Sequence, residues 1–179
     1  MSENQGCQGW TKTPIAKNEE GLYKVQLGRF GLINQQGYFV DYLTPEVIES
    51  LQTRAKNRVL YGEFDVLSRH KDISKVLSGF AVDVTSSDSE NLSQIQIETV
   101  THSICSIEVT TETIDGCVVQ ILYGYIKPLR YLLDEITNLL DNEDSVIKFG
   151  YRALYTSAFD DSKKTEIVLK QIVTFDIYK

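Results

Sequence analysis

An Asp-Gly pair, Asp115-Gly116, separates two runs of β-prone residues, Thr111–Thr113 and Val118–Ile126. Aspartate and glycine tolerate the left-handed backbone that a two-residue hairpin turn requires, so the pattern predicts an antiparallel hairpin. The second run is strongly β-prone. The Asp-Gly pair therefore predicts an antiparallel sheet in this part of the chain.

Other stretches are also predicted to be strands. Residues 22–27, 95–97 and 107–109 alternate apolar and polar residues with the two-residue period of half-buried strands, and strand signals also occur at residues 58–64, 146–155 and 166–177. Two stretches carry helix signals instead. Thr44-Pro45 supplies a hydroxyl for the N-cap and a proline for the first helical position, and this helix should end near Asn57. The second helix should begin at Pro128 and carry the apolar stripe Leu129–Leu140.

Strands and helices in this order predict an α+β fold with a mostly antiparallel sheet or barrel. The first 20 residues are polar and interrupted by glycine and proline, so we expect a flexible tail over 1–20 and a single domain over 21–179. No apolar stretch has the length of a membrane span, and no secretory leader pattern is present, which predicts a cytosolic protein without membrane contact.

Composition excludes several classes of function. The chain has 25 acidic and 18 basic residues and a net charge of −7, which disfavours nucleic-acid binding. Its two histidines and three cysteines show no metal-ligand spacing and no CxxC pair. Phosphate-binding and dinucleotide-binding glycine motifs are also absent. We therefore predict no metal, no cofactor and no disulfide framework.

Seven pieces of the chain form a pattern more specific than composition. Three are whole elements: the strand, break and strand over 22–42, the helix start TPEVI at 44–48 and the helix over 132–140. The other four are short motifs: YGEFD at 61–65, VTHSI at 100–104, LYGYIKPL at 122–129 and VIKFGYRAL at 146–154. In this order and at this spacing, within residues 22–155, they resemble motifs of the prohead core (capsid maturation) serine proteases of tailed bacteriophages. The resemblance implies an assemblin-like fold, in which helices flank a mostly antiparallel β-barrel, and a prohead-protease-like domain over 21–179.

The chain departs from this family at the two catalytic positions. Where the family has its general-base histidine, directly after the GEL-[ND] run, this chain has Val66. Where the family has its nucleophilic serine, next to an arginine matched here by Arg152, it has Gly150 and Tyr151. Serine hydrolysis requires a hydroxyl activated by a neighbouring base. The resemblance therefore implies a catalytically degenerate member that is not an enzyme.

The expected function of such a member is binding rather than cleavage. We expect a non-catalytic phage protein that binds the prohead protease or scaffold and capsid proteins, with inhibition of the protease as the leading version. It would act in the host cytoplasm during infection or within the prohead. A homodimer through the 129–140 stripe is an alternative to packing of that stripe in the core. The residues expected to line the binding cleft are Glu63, Asp65, His102, Tyr151 and Arg152.

Two alternatives remain open from the sequence. The first is an active protease whose catalytic groups have moved. The residues available for it are His70, Cys105, Ser145 and Ser157. The second is a small-ligand or host-factor binding protein, in which the guanidinium of Arg152 holds an anion in the vacated cleft.

Overall fold

The structure, a computed structural model, describes residues 9–12, 17–33, 37–64, 80–85, 89–159 and 165–178. These residues form ten strands, three helices and one 3₁₀ turn. The strands are β1 (Gly9–Lys12), β2 (Tyr23–Phe30), β3 (Leu32–Ile33), β4 (Phe39–Val40), β5 (Tyr61–Glu63), β6 (Phe80–Asp83), β7 (Val100–Ile114), β8 (Cys117–Pro128), β9 (Val146–Phe159) and β10 (Thr165–Tyr178). The helices are α1 (Pro45–Lys56), α2 (Ser89–Ser93) and α3 (Leu133–Asp141), and the 3₁₀ turn is Ile97–Thr99. The fold is α+β and mostly β, as predicted.

The strands form two curled, mostly antiparallel sheets. The first sheet has the order β2-β8-β7-β5, and the second has the order β1-β9-β10-β4-β3, with β6 also paired to β9. Apolar side chains from both sheets and from α1 and α3 form one core. Phe30 of the first sheet and Tyr151 of the second meet in this core with their ring centroids 6.0 Å apart.

The hairpin predicted at Asp115-Gly116 is confirmed. Asp115 and Gly116 have φ angles of 50° and 79°, and they connect the two longest strands of the first sheet, β7 and β8. Two successive residues with positive φ give the turn the twist that a two-residue hairpin needs.

Helix α1 begins and ends where the sequence indicates. The side chain of Thr44 accepts a hydrogen bond from the Val47 N–H, and Pro45 occupies the first turn. Glu46 lies near the positive end of the helix dipole, and Arg54 and Lys56 lie near its negative end. The capping residues and the placement of the charges therefore both favour a helix with these ends.

Helix α3 begins five residues later than predicted. Strand β8 continues to Pro128, whose partner in the ladder is His102. The Leu129 N–H then bonds to the Thr101 carbonyl, and Leu132 adopts a left-handed conformation with φ 54° before the helix starts. Pairing with β7 thus outweighs the helical signal of Pro128. Ile136 and Leu140 of the predicted apolar stripe are buried in the core of this chain.

Three other local predictions differ from the structure. Residues 9–12, assigned to a flexible tail, form β1, which is antiparallel to residues 146–149 of β9. Residues 95–97 were expected to be a strand, but a 3₁₀ turn begins at Ile97. Part of the polar loop expected over 85–91 forms α2. In the case of β1, the edge of β9 supplies main-chain hydrogen bonds that no sequence period reveals.

No helix within the described ranges is both long and apolar enough to cross a membrane.

Candidate functional site

Strand β9 carries the residues that the sequence resemblance assigns to the nucleophile region. Successive side chains of a strand point to opposite faces of a sheet. Phe149, Tyr151 and Ala153 belong to the apolar core, whereas Arg152 interacts with acidic side chains on other strands. Gly150 precedes this core-facing tyrosine, and its register partner on β10 is Asp176.

Arg152 is the centre of a buried ion-pair cluster formed with Glu63 and Asp176. Its Nε donates to Asp176 Oδ2 at 2.6 Å, and its Nη2 donates to Asp176 Oδ1 at 3.1 Å and to Glu63 Oε2 at 2.9 Å. All three residues have 0% relative exposure. Such a cluster holds β5, β9 and β10 together, because separating them would leave charges without partners in the interior.

The cluster also fixes the segment between α2 and β7. Arg152 Nη1 donates to the Gln94 carbonyl at 2.8 Å. The hydroxyl of Thr99 donates to Glu63 Oε1, and the backbone N–H of Glu63 donates to Asp176 Oδ1 at 2.8 Å. Each charged group thus has several hydrogen-bond partners, which is what a buried ion pair needs to be tolerated.

Two carboxylates share one guanidinium in this cluster. Burial alone lowers the pKa of Arg152, but Asp176 and Glu63 outweigh that effect and the pKa is raised above its ordinary value. Burial raises the pKa of Asp176, and its bonds to Arg152 and to the Glu63 N–H offset the rise only in part. The positive charge of Arg152 is therefore fully matched by acidic groups of the chain itself.

His102 lies on β7 and is fully buried. Its Nε2 is 3.0 Å from the Phe175 carbonyl, which can only accept, so Nε2 carries the proton. Nδ1 is then the acceptor for the Thr101 hydroxyl at 2.9 Å. Burial lowers the pKa of His102 to about 4, although the bond to Phe175 opposes this shift. The histidine is therefore neutral and both of its nitrogens are occupied.

Gly62 of β5 lies against the His102 ring. A Cβ at this position would be 2.2 Å from His102 Cε1 and Nε2 and 2.2 Å from the Phe175 carbonyl oxygen. These contacts are too close for any side chain. The YGEFD motif thus contributes a glycine that lets the first sheet approach β10 and a glutamate that pairs with Arg152.

Neither Gly150 nor Tyr151, which the resemblance assigns to the nucleophile, presents a hydroxyl to solvent in this structure. A Cβ on Gly150 would be 2.3 Å from Tyr178 Cε2, so the ring of Tyr178 fills the space beside this glycine. Tyr151 has 0% exposure and packs in the core beside Phe30. Val66, at the base position, and Asp65 lie outside the described residues.

The structure brings together only part of the predicted set. Glu63 and Arg152 are in contact, whereas His102 binds Phe175 and Tyr151 lies in the apolar core. All four are buried, so their side chains do not line an open cleft in this conformation. The prediction that they form a binding cleft stays a prediction.

Sequence reasoning missed Asp176, the bidentate partner of Arg152. One signal was available, because Asp176 interrupts the otherwise apolar end of β10 between Phe175 and Ile177. A single acidic residue in an otherwise apolar strand indicates a buried partner, such as a cation, because an unpaired buried carboxylate is costly. The sequence does not say which cation that is.

The groups considered for a relocated catalytic pair do not come together in the described part of the chain. Cys105 Sγ lies 3.6 Å from the Ser103 hydroxyl, and His102 uses its two nitrogens for Thr101 and Phe175. His70 lies outside the described residues, and so does the side chain of Ser157. No group of three or more potential metal ligands occurs among the described residues.

Comparison with known proteins adds one decisive finding. The chain matches the model of the peptidase S80 family over residues 3–178. The chain belongs to the peptidase S80 family. This is a serine peptidase family, and the match supports the relation to phage prohead proteases that the motifs indicated. No curated protein and no solved structure matches the chain at the significance that we required.

Proposed function

We propose that this S80-family protein is a non-catalytic member with an assemblin-like fold that binds phage head-assembly proteins and inhibits or modulates the prohead protease. Its partners would be the protease itself or scaffold and capsid proteins. It would act in the host cytoplasm during infection, with the prohead as a second location. The family match supplies the peptidase scaffold on which this proposal rests.

The observation that carries the proposal is the state of the two nucleophile positions. Gly150 has no side chain, and the ring of Tyr178 occupies the space where one would stand. Tyr151 packs in the core, and the neighbouring Arg152 is neutralised by two acidic residues of the same chain. A serine peptidase needs a nucleophile, a base and an oxyanion site around the substrate carbonyl. Here the strand that should carry the nucleophile contributes to packing and to an ion-pair cluster instead.

The same cluster argues against the anion-binding alternative. An anion that approached Arg152 would compete with Glu63 and Asp176, whose carboxylates already occupy the Nε and Nη2 donors, while the Gln94 carbonyl occupies Nη1. It would also have to reach a side chain without solvent exposure.

The decisive experiment measures cleavage of a purified scaffold protein by the cognate prohead protease, with and without this protein. We expect cleavage to slow as the protein approaches and passes stoichiometric amounts. Serum albumin at equal concentration controls for nonspecific effects. Unchanged cleavage at excess would refute inhibition, and a lack of co-purification with any head protein would refute partner binding as well.

A separate measurement tests the absence of catalysis. The purified protein is treated with a fluorophosphonate probe for activated serines and incubated with the scaffold protein alone. We expect neither labelling nor cleavage, while the cognate protease shows both. Stoichiometric labelling of the chain would instead establish a relocated nucleophile.

A further inference from the structure

A groove with a volume of about 800 Å³ lies on the first sheet, away from Gly150 and Arg152. Its floor includes residues 103–107 of β7, and its walls come from the C-terminal part of α1, the turn after it and the segment that follows β8. This volume is within the range typical of ligand-binding pockets. None of the residues expected to form the cleft contributes to it.

The groove is basic although the protein is acidic. Lys56, Arg58 and Lys127 line it, against one acidic side chain, Glu20. The chain as a whole has a net charge of −7. In the described part of the chain, none of the three cations forms a salt bridge. Their charges are therefore available to an anionic group that enters the groove.

The position of Arg58 supports a binding role. Arg58 has φ 58° and follows α1, where its N–H bonds to the Ala55 carbonyl and the Val59 N–H bonds to the Arg54 carbonyl. This is the helix-ending motif that glycine usually fills, because a side chain is strained at positive φ. The chain tolerates the strain at a position whose side chain lines the groove.

The floor of the groove also offers main-chain hydrogen-bonding groups. β5 pairs with β7 only as far as Ser103, and the Ile104 N–H bonds to the Leu60 carbonyl. Beyond this point, no other described strand pairs with that edge of β7. Cys105 is the extra residue of a β-bulge between Ile104 and Ser106, and it is half-buried in the groove. An extended peptide can add to such an edge as a further strand.

We propose that this groove is a docking site for an extended, acidic segment of the head-assembly partner. Main-chain pairing with β7 beyond Ile104 would hold the segment, and Lys56, Arg58 and Lys127 would select its carboxylates. A small anion would use the charges but not the strand edge, which is why a polypeptide fits the groove better. This inference rests on the proposed function, since it names the surface through which the partner is bound.

The test uses peptides tiled along the phage head proteins, each made also with its acidic residues replaced by the corresponding amides. The full-length protein and three variants are titrated with them. Arg58→Gly removes a groove cation and relieves the strained backbone, so its thermal stability should equal or exceed that of the unaltered protein. We expect it to bind about five-fold more weakly, and Arg58→Glu with Lys127→Glu to bind at least about thirty-fold more weakly. Lys170→Glu, an exposed lysine of β10 outside the groove, is the matched control and should bind unchanged.

Cysteine alkylation locates the bound peptide. In a Cys7→Ser background, iodoacetamide should modify Cys105 more slowly when peptide is bound, because Cys105 lines the groove. Cys117 is exposed at the hairpin turn and should react at the same rate with and without peptide.

The outcomes separate this inference from the proposed function. Equal binding of acid and amide peptides, full binding by Arg58→Gly, or no protection of Cys105 would each overturn the groove as an acidic-peptide site. So would displacement of the peptide by inorganic phosphate at low concentration, which would indicate a small-anion site. If the protein still slows scaffold cleavage in those cases, the proposed function survives and another surface carries it.

Discussion

At the scale of single residues, Arg152 shows how the interior of a fold can use a charged motif residue for pairing within the chain. The sequence placed it beside a missing nucleophile and made it a candidate for ligand binding. In the structure it pairs with Asp176 on the neighbouring strand β10 and with Glu63 on β5, 89 residues away in sequence. Its positive charge pairs with buried carboxylates of the same chain and is not presented to a ligand.

Replacing Arg152 should destabilise the fold strongly. Arg152→Ala leaves two carboxylates in the interior without their cation, which typically costs about 3–5 kcal/mol. Urea unfolding at neutral pH measures this loss. The deficit relative to the unaltered protein should shrink as the pH falls, because burial raises the pKa of Asp176 and protonation of Asp176 removes a buried charge that has lost its cation. A pH-independent deficit would contradict this account, and Lys170→Ala, exposed on β10, should cost less than about 0.5 kcal/mol.

His102 makes a second prediction at this scale. Its pKa is lowered to about 4 in the folded protein, against about 6.5 in the unfolded chain. The unfolded state therefore takes up a proton first as the pH falls, so stability should decrease between about pH 6.5 and pH 4, by on the order of 3 kcal/mol in all. Above pH 6.5 this contribution is fully present.

Proton NMR of the imidazole C2–H resonances checks the cause directly. The His102 resonance should titrate near pH 4, and a His70→Gln variant assigns it. Titration of His102 near pH 6.5 would contradict the neutral, doubly hydrogen-bonded ring seen here.

At the scale of elements, α1 is fixed to β10 by an arginine in its last turn. The guanidinium of Arg54 donates to the carbonyls of Ile172 and Val173, at the irregular part of β10 where its register with β9 shifts. Strand carbonyls that lose ladder partners at a bulge need another donor. Arg54 of the helix thus supplies the hydrogen-bond donors that these carbonyls lose at the bulge.

Arg54→Ala should therefore weaken this junction without changing the fold. Loss of the charged donor to partly buried carbonyls is expected to cost about 1–3 kcal/mol. Chemical unfolding measures it, and hydrogen exchange should speed up around residues 171–174 more than in the β7–β8 hairpin. Lys56→Ala, in the same turn of α1 but exposed, is the matched control. Equal effects of the two substitutions would show that the helix dipole, and not the bulge, explains the role of Arg54.

At the scale of the whole molecule, the two sheets join where β5 meets β10. Phe64 forms a parallel bridge with Ile177, and the Glu63 N–H bonds to Asp176. Gly62 permits this approach because no side chain fits between it, the His102 ring and the Phe175 carbonyl. The ion-pair cluster, the buried histidine and this glycine thus stabilise one and the same junction.

Gly62→Ala tests the junction. A methyl group 2.2 Å from a backbone oxygen and a buried ring forces the sheets apart, so we expect a loss of more than about 3 kcal/mol or failure to fold. Gly116→Asn is the control, since asparagine tolerates the positive φ of that open turn and should cost under about 1 kcal/mol. Soluble expression and thermal melting compare the two. A Gly62→Ala protein as stable as Gly116→Asn would refute the close approach of the sheets.

The sequence by itself determined the features that depend on neighbouring residues. The Asp115-Gly116 turn, the start of α1 at Thr44-Pro45 and the long strands follow from backbone preferences and from the period of apolar residues, and the motifs indicated the family. Only the tertiary structure decided which groups meet across the sheets. Arg152 pairs with Asp176 and Glu63, and Tyr178 fills the space beside Gly150. Strand β8 continues past the expected helix start. In each case strand register and packing bring together residues that no local pattern connects.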